Sequence, residues 1–85
     1  MPPKDIIEAF VRIDDPKTMR QFFREIFSRA EQTDIALRWS LMTLLHQKMP
    51  QRKIASHLGV SLCKITRGAR IVKNETSVTN RLLNE

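Results

Sequence analysis

The stretch that most constrains this chain runs from Met49 to Gly68, Met-Pro-Gln-Arg-Lys-Ile-Ala-Ser-His-Leu-Gly-Val-Ser-Leu-Cys-Lys-Ile-Thr-Arg-Gly. Pro50 suits the first position of a helix, where the missing N–H has no intrahelical partner to lose. Ile54, Ala55 and Leu58 then share one face at helical spacing. Gly59 follows the last periodic residue, where a left-handed stop is least costly for glycine. Ser61 can cap a second helix through its hydroxyl. Leu62, Ile65 and Ala69 form the apolar side of that helix, and Lys64, Arg67 and Arg70 its polar side. The small side chain of Ala55 lets the two helices cross closely. The spacing predicts a helix-turn-helix, a layout whose second helix enters the DNA major groove. Two packed core helices joined by a glycine turn would carry the same apolar pattern, so charge has to separate the readings.

Charge favours the nucleic-acid reading. The net charge is +6 over 85 residues. No acidic residue lies between Asp34 and Glu75, an interval that holds Arg38, Lys48, Arg52, Lys53, Lys64, Arg67, Arg70 and Lys73. Most of the acids fall in the first 34 residues. A basic field confined to the helix-turn-helix half suits phosphate binding. A basic face for an acidic protein partner is the rival from another class.

Length sets a second limit. A domain this short buries only about 60–65% of the surface its unfolded chain exposes, and small domains compensate with disulfides, metals or oligomerisation. Cys63 is the only cysteine, and His46 and His57 stand apart from it and from each other. Disulfides within the chain are therefore excluded, no metal site is expected, and oligomerisation remains. No signal peptide or transmembrane run is present, which predicts a cytoplasmic protein with no membrane partner. No nucleophile–base pair or carboxylate pair suggests catalysis, so an enzyme is not expected.

The rest of the chain reads as helices. Asp5 caps a first helix with Ile6, Ile7, Phe10, Val11 and Ile13 on its apolar side, and Asp14-Asp15-Pro16 ends it. Asp15 caps a second, Pro16 to about Phe27, carrying Met19, Phe22, Phe23, Ile26 and Phe27. Two such helices cannot bury four phenylalanines alone, so a second subunit is expected to cover them. Ser28-Arg29-Ala30-Glu31 matches a capping box for a third helix reaching about His46. That helix is apolar nearly all round, which predicts a buried central position. Arg38 in its midst either snorkels outward or points into a cleft. The reading helix runs from Leu62 to about Lys73, and Thr76 or Ser77 caps a last short helix with Val78, Leu82 and Leu83. The expected fold is all-α, with about six short helices in a single domain. Residues 1–46 form the dimerisation and central helices, 49–73 the DNA-reading part and 76–85 a C-terminal helix. Ser61, Leu62, Cys63, Lys64 and Thr66 lie where side chains of a reading helix reach base edges, and Arg52 and Lys53 where phosphates are held. Arg67 suits a phosphate contact as well.

Two runs resemble the tryptophan repressor family: Met-Pro-Gln-Arg-Lys-Ile at 49–54 and Ile-Thr-Arg-Gly at 65–68. Phe22-Phe23, Ser28 to Gln32 and Ala36-Leu37-Arg38 extend the likeness over roughly residues 20 to 73. The resemblance implies an intertwined homodimer that reads a palindromic operator in double-stranded DNA as a repressor. It implies L-tryptophan as candidate co-repressor and no other cofactor. The ligand's indole would lie between Arg38 and Arg67 and beside Gly68, with backbone carbonyls around Glu25, Phe27 and Ser28 of the other chain meeting its amino group. This chain departs from the family twice. The turn at Gln47 to Met49 is one residue shorter, so that registering from the motif puts Leu37 at the arginine position. Ile71 stands where the family has a serine that helps hold the amino group. Effector-independent DNA binding therefore stands beside the tryptophan reading.

Overall fold

A computed structural model describes residues 1–85. The chain forms six helices and no strand: α1 (Ile6–Arg12), α2 (Pro16–Ile26), α3 (Arg29–His46), α4 (Gln51–Leu58), α5 (Leu62–Lys73) and α6 (Val78–Leu83). Side-chain caps set most of the starts. The Asp5 carboxylate accepts from Glu8 N at 2.8 Å, and that of Asp15 from Thr18 N at 2.9 Å. Ser28 and Glu31 cap α3 reciprocally. Ser28 N donates to Glu31 Oε1 at 2.8 Å, and Glu31 N donates to Ser28 Oγ at 3.2 Å. Each bond satisfies a first-turn N–H that the helix itself leaves without a partner.

Packing divides the chain into two compact units, Met1–Thr33 and Asp34–Glu85. The division falls inside α3. The physical reason is the C-terminal part of α3: Leu41, Met42, Leu44 and Leu45 pack with the helix-turn-helix. In the first unit α1 and α2 hold an aromatic cluster. Phe10 meets Phe22 edge-on at 5.3 Å between ring centres, and Phe23 meets Phe27 at 4.9 Å. Neither α1 nor α2 contains a buried residue, and Ile7 and Val11 are 66% and 77% exposed.

The second unit has the true core. Leu41, Ile54 and Ile65 are buried, with Met49, Ala55, Leu58 and Val60 packed around them. Ala69 and Val72 extend the buried face of α5. Gly68 lies on the same face. A Cβ there would run into Leu41 Cδ2 and come within 3.2 Å of Leu45 Cδ1. Its glycine is thus a condition of the close approach of α5 to α3. Leu41 is the only buried residue of α3, and Trp39 is 46% exposed. The central burial expected for α3 is therefore incomplete within one chain.

Turns complete the head. Gly59 adopts φ 66, ψ 34, and its N–H reaches Ala55 O, the left-handed stop read from the sequence. The α3–α4 turn closes the same way without glycine. Lys48 has φ 64; its N–H donates to Leu45 O at 3.0 Å, and Met49 N donates to Leu44 O at 3.1 Å. This pair of bonds is the Schellman arrangement. Pro50 is the capping residue before α4, one position earlier than expected: its φ of −57 fits a helix, but its ψ of 139 is extended. At the far end, Ser77 caps α6 and donates its hydroxyl to Ile71 O at 2.9 Å. Asn80 Nδ2 donates to Val72 O at 2.5 Å. Two of α5's last carbonyls are thereby satisfied.

Two outcomes follow from these contacts. Hydrogen bonds from Thr18 hold the Asp15 carboxyl below its ordinary pKa, and those from Ser28 do the same for Glu31. A carboxylate with a lowered folded pKa stabilises fully above its unfolded value and stops doing so as pH falls through the folded one. Thermal stability is therefore expected to be level above about pH 5 and to drop below it. The drop should be shallower in an Asp15→Asn, Glu31→Gln double variant, which melting curves across pH 2.5–7 would measure. Gly68→Ala adds a better helix former yet should destabilise the fold by about 1–3 kcal/mol through overpacking. Urea titration checks this, and an unchanged or raised midpoint would contradict the close-approach account.

Candidate nucleic-acid interface and adjoining cavity

Helix α5 presents two faces. Ile65, Gly68, Ala69 and Val72 are buried, and Leu62, Cys63, Lys64, Thr66, Arg67 and Arg70 are exposed. Leu62 is 58% exposed at the first helical position, and Cys63 follows it with a free thiol. Ser61 and Thr66 are turned to local work. Ser61 Oγ accepts from Lys64 N at 3.4 Å, and the Thr66 hydroxyl donates to Leu62 O at 2.9 Å. Arg52 and Lys53 are exposed on the first turn of α4. Every residue expected to meet DNA is thus on the surface, six of them on or capping α5 and two on α4. The hydroxyls of Ser61 and Thr66 are engaged with backbone.

A cavity of about 260 Å³ opens beside the buried face of α5. Its apolar lining comes from Leu37, Leu41, Met42, Val60 and Ile71, and its charged lining from Asp34, Arg38, Lys64 and Arg67. Gly68 completes it. Arg38, Arg67 and Gly68, brought together only by the family resemblance at the level of sequence, therefore line one space. So does Leu37, the alternative to Arg38 in register. Phe27 and Ser28 belong to the first unit. There the Phe27 carbonyl accepts from Gln32 Nε2 at 2.8 Å, and that of Ser28 from Gln32 N at 2.9 Å.

Asp34 is the residue that sequence reasoning missed. Its Oδ2 lies 2.9 Å from Arg38 Nη2, and its Oδ1 lies 3.5 Å from Lys64 Nζ. The first contact was legible as a one-turn acid–base spacing on a helix. The second spans thirty positions and has no local signature. Arg38 resolves as both alternatives at once: its side chain is 60% exposed, yet it stands at the cavity edge. No carboxylate pairs with Arg67.

No group of three or more His, Cys, Asp and Glu side chains is placed to hold a metal ion, and no helix is long and apolar enough to cross a membrane. A family model described as Trp repressor protein matches residues 4–85. The Trp operon repressor homolog of Chlamydia caviae is 33% identical over 70 residues, 81% of this chain and 69% of the relative. That of Chlamydia trachomatis serovar D is 32% identical over 71 residues, 78% of this chain and 76% of the relative. The homolog of Xylella fastidiosa strain M23 is 37% identical over 65 residues, 75% of this chain and 71% of the relative. No solved structure is a significant match.

The Asp34–Lys64 contact should be weak. Both side chains are more than a third exposed, and exposed pairs couple by about 0–1 kcal/mol. A double-mutant cycle over Asp34→Asn and Lys64→Met, read by urea denaturation, should give a coupling in that range that vanishes at high salt. A coupling above about 2 kcal/mol would mean that the pair is far better sheltered than its exposure indicates.

Proposed function

The chain belongs to the Trp repressor family, a family of regulators rather than enzymes, and from that premise we propose that it is a dimeric repressor reading a palindromic operator in double-stranded DNA. The observation that carries the proposal is the division of α5. One face is locked into the core by Ile65, Gly68, Ala69 and Val72, and the other is left free with Leu62, Lys64 and Arg67 outward. A helix held so, with its first turn exposed, can seat side chains on base edges. Lys64 suits guanine N7 and O6, and Leu62 a thymine methyl. Arg52, Lys53 and Arg70 supply phosphate contacts that fix register without reading sequence.

Dimerisation is supported by surface that one chain leaves uncovered. Ile6, Ile7, Val11 and Ile26 in the first unit and Trp39 in the second are all exposed. Large apolar side chains in such number mark a protein interface. Two reading helices must then stand about 34 Å apart to meet successive major grooves. The cavity beside α5 is the place for an effector, with L-tryptophan the first candidate on family grounds. A ligand acts there only through its different affinity for the DNA-competent arrangement.

Selection from random duplexes tests the reading. A two-fold symmetric motif is expected, bound by a species of twice 9.9 kDa in sedimentation. Lys64→Ala should cost about 1–3 kcal/mol and relax preference at one position of each half-site. Lys53→Ala should weaken all sequences alike and reduce the log–log salt slope by about 1. Enrichment without two-fold symmetry, or a compact monomer at micromolar concentration, would overturn the proposal. Operator affinity unchanged by any ligand would remove the effector alone.

A further inference from the structure

We propose that the outer face of α2 is a second DNA contact, in which Lys17, Arg20 and Arg24 hold backbone phosphates outside the helix-turn-helix. This rests on the reading of the chain as a DNA-binding protein and extends the phosphate contact to the first unit.

The charges of the first unit cancel in number but not in place. Residues 1–33 hold six acids and six bases. Five of the acids are already engaged. Asp5, Asp15 and Glu31 accept backbone N–H groups at helix starts. Glu8 pairs with Arg12 at 2.9 Å, and Glu25 accepts from Gln21 Nε2 at 3.1 Å. The sixth, Asp14, precedes α2. Lys17, Arg20 and Arg24 are exposed, and none of them pairs with a carboxylate. At helical spacing the three fall within about 60° around the axis and run about 10 Å along it. Met19, Phe22, Phe23 and Ile26 lie on the opposite side of the helix.

The make-up of this face fits a polyanion. Protein partners are anchored by apolar and aromatic side chains, and the basic sector of α2 contains none. A lipid surface takes up the apolar side of a basic amphipathic helix. In α2 that side is engaged within the chain, Phe22 with Phe10 at 5.3 Å between ring centres and Phe23 with Phe27 at 4.9 Å. Phosphate contact needs only the cations, and each phosphate they neutralise releases condensed counterions. A duplex carries about six phosphate charges over about 10 Å of its axis, so all three side chains can meet a phosphate at once.

Salt titration of DNA affinity on the full chain tests the contact. The probes are a random-sequence duplex several helical turns long and the symmetric duplex recovered by selection. A Lys17→Gln, Arg20→Gln, Arg24→Gln variant should lower the log–log salt slope of the dimer by about 2–5 on both. Glutamine is a good helix former, and circular dichroism and sedimentation check that the variant is folded and dimeric. Lys17→Arg, Arg20→Lys, Arg24→Lys keeps the charges and should keep the slope. Arg12→Gln removes a charge that Glu8 already pairs and should move the slope by less than about 1. An unchanged slope in the glutamine variant, with the symmetric duplex still preferred, overturns the inference and leaves the operator reading standing. A fall in slope with both duplexes bound alike does the reverse. Loss of the dimer in the glutamine variant would seat the stripe on a second copy, and equal slopes with loss of binding to phosphatidylserine vesicles would seat it on a lipid surface. Either result overturns the DNA contact.

Discussion

The contact that the second unit depends on is the approach of α5 to α3 at Gly68. Leu41 occupies the space a Cβ would need, and Ile65 and Val72 bury themselves on the same face of α5, before and after it. Glycine inside a helix costs about 1 kcal/mol relative to alanine. That cost is offset by burial of Leu41, Ile54 and Ile65, each of which contributes about 1.5–3 kcal/mol when fully taken out of water. Leu41, Met42 and Gly68 also line the cavity. The surface that fixes the reading helix and the surface that would meet an effector are therefore continuous.

Charge has a smaller part in holding this arrangement. Every ion pair in the chain joins partly exposed groups, and such pairs contribute at most about 1 kcal/mol each. Backbone satisfaction does more. Ser61 serves the start of α5, and Ser77 and Asn80 serve its last carbonyls. Helix α5, proposed above to face DNA, is thus defined at both ends by short polar side chains and along one side by apolar contact. Of its basic residues, Arg67, Arg70 and Lys73 pair with no carboxylate, and Lys64 meets Asp34 alone.

Features that depend on neighbours in sequence were legible in advance. Asp5, Asp15, the Ser28/Glu31 pair, Gly59 and Ser61 all act within four residues of where they stand, and all were readable. The phenylalanines of α1 and α2 and the one that follows α2 were expected to need a second subunit; within the chain they are half-buried against one another. Features that depend on distant partners or on unusual residues in familiar roles were not. Lys48 holds a left-handed position that glycine normally signals, so the turn after α3 gave no sign of how it closes. Gly68 reads as a residue beside a ligand until the position of Leu41 is known. Asp34 is an ordinary surface acid in the sequence and becomes a cavity residue only through Lys64, thirty positions on. Thr66 has the right place for base contact, but its hydroxyl bonds the preceding turn, as threonine in a helix often does.

Lys64 links the two halves of the functional reading. It stands at the cavity edge with Asp34 and on the outer face of α5 where bases would be met. A ligand that met Lys64 at the cavity edge would alter how firmly Asp34 holds it, and DNA that engaged Lys64 would alter the charge facing such a ligand. By linkage each must change the other's affinity by the same factor. Carried by this one exposed pair, the coupling is limited to about 1 kcal/mol, or roughly fivefold. Any larger response of operator affinity to a ligand requires displacement of the reading helix itself. In this fold that means moving the Gly68–Leu41 contact, where α5 lies close against α3.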